Sequence, residues 1–349
     1  MHVRSQPAAR PTPLRNQPAS TGLARLSETV SGLAYAAAMT ASELIAAEVP
    51  AVAPPNSWAL SPSRAGDFMT CPLLYRFRVI DRLPEPSSPV TTRGTLVHGV
   101  LERLFDSPAL ERTIERAHSL LEPEWQRLLA ERPELEALFT APVIEGGPSV
   151  DDQIATWLAS ARVLIETYFA LEDPTRVEPD QRELLVEAQL PDGVRLRGFV
   201  DRVDVGRGGA TRIVDYKTGS SPSELFEAKA LFQLKFYALV MWRMSGTIPA
   251  MLQLLYLGDK QMLRYAPDEA DLLATERKVR ALWAAIERAL EQQNFPPRPS
   301  KLCDWCAHQA LCPAFGGTPP AYPQPADAAD AAARVVPLDT VAEADDITP

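Results

Sequence analysis

The sequence predicts a mixed α/β fold, a central sheet flanked by helices, with a helical lobe inserted ahead of the sheet. Three observations carry this expectation. Stretches with apolar residues at helical spacing bracket a run of short alternating segments. Those segments, Glu183 to Leu190, Val194 to Val205 and Thr211 to Lys217, are divided by Gly- and Asp-containing turns, as in an antiparallel meander. An amphipathic stretch from Leu231 to Met244 then leads to a further apolar strand, Met251 to Leu257.

The elements follow in order. Ser61-Pro62 offers an N-cap with proline at the first helical position, opening a helix through Phe68 toward Cys71. Gly94 to Phe105 carries Leu96, Val97, Val100, Leu101, Leu104 and Phe105 at helical period. Residues 108–175 are helix-like but broken by Pro133, Pro142 and Gly146-Gly147-Pro148, which marks an inserted lobe. Helix, three strands, helix and strand make the core, and Asp268 to Gln293 is a closing helix. The ends differ in composition. Residues 1–57 are rich in Ala, Pro, Ser and Thr, and residues 317–349 in Pro, Ala and Asp, so both are expected to be disordered around a folded domain at 58–316. Met39 is an alternative start.

With 349 residues, 46% of them hydrophobic, the chain can bury a large core. No apolar run is long enough to span a bilayer, and the most apolar helix, Leu231 to Met244, carries Lys235 and Arg243. No secretory signal is visible, so a cytoplasmic location without membrane contact is expected. The formal charge of −10 opposes nucleic-acid binding in bulk. The tail from Gly317 holds a net −5 and the residues before Met39 a net +3, which leaves −8 for the middle. Phosphate binding would need a local patch, for which Arg64, Arg76, Arg78, Arg82, Arg93 and Arg103 are candidates. There is no Gly-x4-Gly-Lys-Ser/Thr segment and hence no P-loop motor.

Asp215-Tyr216-Lys217 ends the strand Arg-Ile-Val-Asp-Tyr-Lys-Thr-Gly. Alternation puts Asp215 and Lys217 on one face and Tyr216 on the other. A carboxylate there can hold a divalent cation, while the ammonium orients a nucleophilic water and offsets developing charge. Taken alone, the triplet is weak and reads first as an exposed same-face ion pair. Its neighbours add weight. Asp201, in Gly198-Phe199-Val200-Asp201, can share a cation with Asp215 across the meander; Asp204, three residues on, is expected on the opposite face. His98 and Glu102 lie one helical turn apart, with the small Gly94 a turn before His98. Gln233 and Tyr237 are similarly spaced, able to meet nucleic acid or the lysine, or to be ordinary helix surface.

All four cysteines form one plausible ligand set, Cys71 with Cys303-x2-Cys306-x5-Cys312. Four thiolates suit zinc or [4Fe–4S], and spacing alone does not separate them. Either would tie the two ends of the core together.

At this point the sequence resembles a known group. Leu60-Ser61-Pro62-Ser63, Phe68, Cys71-Pro72 and Tyr75-Arg76-Phe77 look like the N-terminal cysteine helix of RecB-like exonucleases of the PD-(D/E)XK superfamily. That group includes the AddB nuclease subunit and CRISPR-associated adaptation exonucleases. Gly94-x3-His98, Gly198-x2-Asp201, Asp215-Tyr-Lys217-Thr-Gly219, Gln233-x3-Tyr237 and the C-terminal cysteines follow in the same order. The resemblance implies a PD-(D/E)XK restriction-endonuclease-like core stapled by a [4Fe–4S] cluster on Cys71, Cys303, Cys306 and Cys312. It implies His98, Asp201, Asp215 and the backbone carbonyl of Tyr216 as ligands of Mg²⁺ or Mn²⁺, with Lys217 catalytic and Gln233 and Tyr237 as an accompanying motif. The expected activity is a metal-dependent exonuclease on single-stranded DNA in repair or recombination, with a separate helicase supplying any unwinding. A catalytically silent DNA-binding scaffold in a helicase–nuclease assembly is the alternative, and a zinc-stapled protein of unrelated function a third.

Overall fold

The computed structural model describes residues 59–139, 147–221 and 224–323. The expected extension at 1–57, the alternative start at Met39, Pro142, Gly146 and most of the acidic tail lie outside them.

Helix α1 (Pro62–Thr70) begins as its sequence dictates: the Ser61 hydroxyl accepts the Arg64 N–H and Pro62 fills the first turn. Cys71 breaks the helix in an extended conformation, and α2 (Pro72–Tyr75) runs on into a π turn over Arg76–Ile80. Helix α3 (Pro89–Leu104) starts one turn earlier than its apolar pattern suggests, because Ser88 and Thr91 form a capping box ahead of Gly94.

The helical lobe between α3 and the sheet consists of α4 (Ile114–Glu131), a 3₁₀ stretch (Pro133–Phe139) and α5 (Val150–Leu171). Trp125, Phe139 and Trp157 meet edge-on at its centre, with ring centroids 4.9 to 6.1 Å apart. Among the described residues α5 alone is long and apolar enough to cross a membrane. Its Trp157, Leu158, Ala161, Leu164, Ile165 and Tyr168 are buried in the lobe core instead.

The sheet has strand order β1-β2-β3-β4-β5, from β1 (Pro179–Gln189), β2 (Arg195–Val205), β3 (Thr211–Lys217), β4 (Met251–Tyr256) and β5 (Gln261–Tyr265). Among these five strands β3 and β4 alone pair in parallel, joined by the crossover helix α6 (Glu224–Ser245). Strand β5 was not expected. Its five residues are exposed or half-buried and show no apolar alternation, so it is held by pairing with β4 more than by burial. Helix α7 (Glu269–Glu291) closes the fold. One core lies between the sheet and α1, α6 and α7; the other lies between the sheet and α3, α4 and α5.

Packing continues past residue 316, where the folded domain was expected to end. Tyr322 stacks on Phe295 at 6.2 Å, Arg76 donates to the Pro320 carbonyl at 2.6 Å, and its guanidinium sits 5.3 Å over the Tyr322 ring. A single aromatic anchor in a Pro- and Ala-rich run is invisible to composition.

Candidate active site

The C-terminal end of β3 brings two charges together. Asp215 and Lys217 are both buried, with Lys217 Nζ 3.2 Å from Asp215 Oδ2. Burying a lysine requires full use of its donors. Its ammonium also donates to Gln233 Oε1 at 2.8 Å, and Gln233 Nε2 donates to the Tyr237 hydroxyl at 3.3 Å. Gln233 and Tyr237 are buried, so the α6 pair faces the lysine and is not helix surface. Gly198 explains how Tyr237 fits: a β-carbon there would stand 2.5 Å from the tyrosine ring. Gly94 similarly lets α3 approach the loop after Lys217, since a β-carbon would lie 3.2 Å from Thr218 Oγ1.

Asp201 reaches the same region from β2. The backbone N–H of Tyr216 donates to Asp201 Oδ2 at 2.7 Å, and His98 Nδ1 on α3 lies 3.5 Å from that oxygen. Strand β2 is irregular here. Val200 and Val203, three residues apart, both belong to the α6-side core, so the alternation slips once across Asp201 and Arg202. Strand β1 slips at the matching point: Leu184 packs on the α6 side, while Arg182 reaches the Glu102 carbonyl and Asp106 on the α3 side. Between them Glu183 adopts φ +45°, a left-handed conformation that a glutamate seldom takes.

This slip aims Glu183 at Asp201 and His98. Ligand atoms of the three residues lie within 4.8 Å of one another, close enough to hold one divalent cation. Loss of hydration, then the charges of Asp201, Glu102 and Asp215, push the Glu183 carboxyl up to about 8. Solvent reaches this side chain, which moderates the shift and leaves its upward direction. Asp215 falls outside the triad; it stands beside Lys217 and acts on Glu183 through its charge. Sequence reasoning passed over Glu183, although a signal existed. Register counted back from the Asp192-Gly193 turn pairs Arg182 with Arg202 and Leu184 with Val200, which puts Glu183 opposite Asp201.

Asp204 is excluded from the site by its partners, Arg202 at 3.0 Å and Arg212 at 2.7 Å. Arg202 is completely buried and also meets Glu172 at 2.7 Å and the Tyr216 hydroxyl at 2.7 Å. This network lies behind the site and fixes both the residue after Asp201 and the residue between Asp215 and Lys217. Burial drives the Tyr216 hydroxyl far above the usual phenol range.

Five of the six arginines offered as a phosphate patch have partners elsewhere. Arg76 pairs with Asp81 at 3.0 Å, Arg78 with Asp67 at 2.6 Å and Glu85 at 2.8 Å, and Arg103 with the buried Glu124 at 2.7 Å. Arg64 donates to the Ala59 carbonyl and Arg93 to Ser160. Spacing along the chain could not reveal these partners.

Cys71, Cys303, Cys306 and Cys312 line one cavity of about 60 Å³, walled also by Leu73, Leu74 and Phe77. The Arg298 and Ser300 N–H groups donate to Cys71 Sγ and Cys303 Sγ, both at 3.3 Å. Burial raises the Cys306 thiol against the opposing pull of the His308 backbone N–H and Arg78, with smaller upward pushes from Cys303 and Cys71. Among the described residues, no three of these sulfurs gather within 4.8 Å. A single tetrahedral zinc would hold them about 3.8 Å apart, from Zn–S bonds of about 2.3 Å.

The chain is similar to several known proteins. The Gene 69 protein of Mycobacterium phage L5 is 24% identical over 286 residues, covering 73% of this chain and 96% of the phage protein. The Gene 69 protein of Mycobacterium phage D29 is 25% identical over 271 residues with the same coverage. A match to a solved structure of a candidate exonuclease from Eubacterium rectale covers 80% of this chain and 95% of that chain at 15% identity, with a TM-score of 0.46. Residues 59–313 match the profile of the PD-(D/E)XK nuclease superfamily, from the start of the cysteine helix to just past Cys312. With the sheet that carries Asp201, Asp215 and Lys217 inside that span, this chain belongs to the PD-(D/E)XK nuclease superfamily.

Proposed function

We propose that the chain is a divalent-cation-dependent deoxyribonuclease of the RecB-like type, trimming single-stranded DNA from an end during repair or recombination in the cytoplasm. The observation that carries this reading is the convergence of His98, Glu183 and Asp201 within reach of one cation, beside a buried Asp215–Lys217 pair. His98, Asp201, Asp215 and the Tyr216 carbonyl, joined by Glu183, would hold Mg²⁺ or Mn²⁺. The mixed oxygen and imidazole donors suit both ions. Such a cation supplies Lewis-acid polarisation of a phosphoryl oxygen and neutralises negative charge.

The protein's own groups have separable tasks. Lys217 orients a water for attack on phosphorus and offsets charge as the P–O bond breaks. Gln233, backed by Tyr237, holds the lysine in place. Asp201, fixed by the Tyr216 N–H, keeps β2 and β3 in register at the reacting end. A catalytically silent scaffold would have no use for a buried lysine with this supporting chain, which favours the enzyme. Any unwinding falls to a separate helicase.

The four-cysteine cavity would take a [4Fe–4S] cluster. Its apolar walls and the two N–H groups that donate to sulfur are the features that support this reading.

The decisive assay uses end-labelled single- and double-stranded DNA with Mg²⁺ or Mn²⁺. Asp215→Ala and Lys217→Ala should each abolish cleavage while the fold is retained. Undiminished cutting by either variant would overturn the assignment.

A further inference from the structure

The outer face of the β1–β2 hairpin is unassigned and adjoins the cation site. Val186, Leu196 and Val200 turn inward to the core under α6, where Gly198 seats Tyr237. Alternation sends Leu185, Glu187, Arg197 and Phe199 to the other face, the side on which α3 carries His98. There Leu185 stands opposite Phe199, and Glu187 opposite Arg197. Leu185 is 39% exposed, Phe199 is half-buried, and the Arg197 guanidinium lies 5.9 Å over the Phe199 ring. Glu183 and Asp201 occupy the next rung of the same ladder. One rung is two residues, about 6.8 Å along an antiparallel strand.

A strand whose phosphodiester sits at Glu183 and Asp201 would therefore carry its neighbouring nucleotide across Leu185 and Phe199. We propose that this face is the subsite for that nucleotide: Phe199 and Leu185 stack one unpaired base of single-stranded DNA, and Arg197 takes the adjoining phosphate. The substrate class rests on the nuclease reading above; the subsite itself requires binding and not cleavage. Three observations favour this occupant. The face is continuous with the cation site. It joins an aromatic ring to a guanidinium, the combination that receives bases and phosphates. It also gives a chain of net charge −10 two arginines in line, Arg197 and, one rung beyond, Arg195 opposite Gln189. Arg197 is half-buried and pairs with the exposed Glu187 at 3.3 Å; a phosphate would take the place of that carboxylate. A base locked in a duplex has no free face to lay on Phe199, so the subsite selects single strands.

The test is affinity for an end-labelled single-stranded oligonucleotide in Ca²⁺, read by fluorescence anisotropy, using the full chain. Phe199→Ala should weaken binding about tenfold, the usual effect of losing one stacked base, while Phe199→Trp retains it. With an abasic site moved along the oligonucleotide, the Phe199→Ala penalty should vanish at one position only. Arg197→Ala should lower the slope of log affinity against log salt by about 0.7. Equal affinity for wild type and Phe199→Ala, or a penalty indifferent to every abasic position, would overturn the subsite. A wild-type chain that binds and cuts while Phe199→Ala binds equally well refutes this proposal alone. A chain that neither binds nor cuts single-stranded DNA refutes the nuclease reading with it.

Discussion

Lys217 Nζ lies 2.8 Å from Gln233 Oε1, so a strand residue and a crossover-helix residue, sixteen positions apart, share one hydrogen bond inside the protein. The amide carbonyl and the Asp215 carboxylate together constrain where the ammonium can point.

Gln233→Ala should therefore lower kcat on single-stranded DNA by about tenfold to a hundredfold with KM little changed, because the lysine is misplaced but present. Tyr237→Phe removes only the group behind the glutamine and should cost less. Steady-state kinetics with Mg²⁺ would check both. A KM effect without a kcat effect would assign Gln233 to DNA contact.

Glu183 binds its proton more tightly in the folded chain than in the unfolded one, its carboxyl being raised from 4.5 to about 8. Its contribution to the stability of the metal-free protein is complete below about 4.5 and is lost as pH rises through about 8. Melting in EDTA between pH 5 and 8 should show wild type losing stability relative to Glu183→Gln as the pH climbs. Mg²⁺ or Mn²⁺ should recover wild type at the alkaline end and do less for the variant. Parallel curves for the two proteins would remove Glu183 from the cation site.

Arg202 compensates Glu172 and Asp204 in the interior. Arg202→Met leaves their charges against Arg212 alone and should destabilise the protein by about 3–5 kcal/mol. Urea unfolding measures this directly. A cost under about 1 kcal/mol would mean that water already reaches the network.

Cys303→Ala should lower iron and sulfide content together with the melting temperature in anaerobically purified protein. The cysteine cavity ties α1 to the segment after α7, and losing one ligand loosens both. A stable, fully active variant devoid of iron would show that the four thiols do not staple the fold.

Much of the fold and the spacing of most candidate-site residues could be read from the chain. Caps such as Ser61-Pro62 and the alternation of β2 up to Asp201 are local, and local chemistry sets them. The spacing of Asp215 and Lys217 on one strand face is local too, as is the pairing of Gln233 with Tyr237 along one helix. Strand β5 was hidden because a half-exposed edge strand needs no apolar code; its partner supplies the order. The packed stretch to Tyr322 was hidden because one aromatic ring acts only when Phe295 is there to receive it.

Sequence alone determined the superfamily-like order of motifs, the lysine, the aspartates and the four cysteines. Tertiary structure alone decided which arginines are already neutralised, that Gln233 and Tyr237 face inward, and that Glu183 stands with His98 and Asp201. The physical reason is the same in each case. A side chain's type is written in the chain, but its charge state and its availability depend on what approaches it through space. At Glu183 that approach required two neighbouring strands to slip their alternation at the same rung.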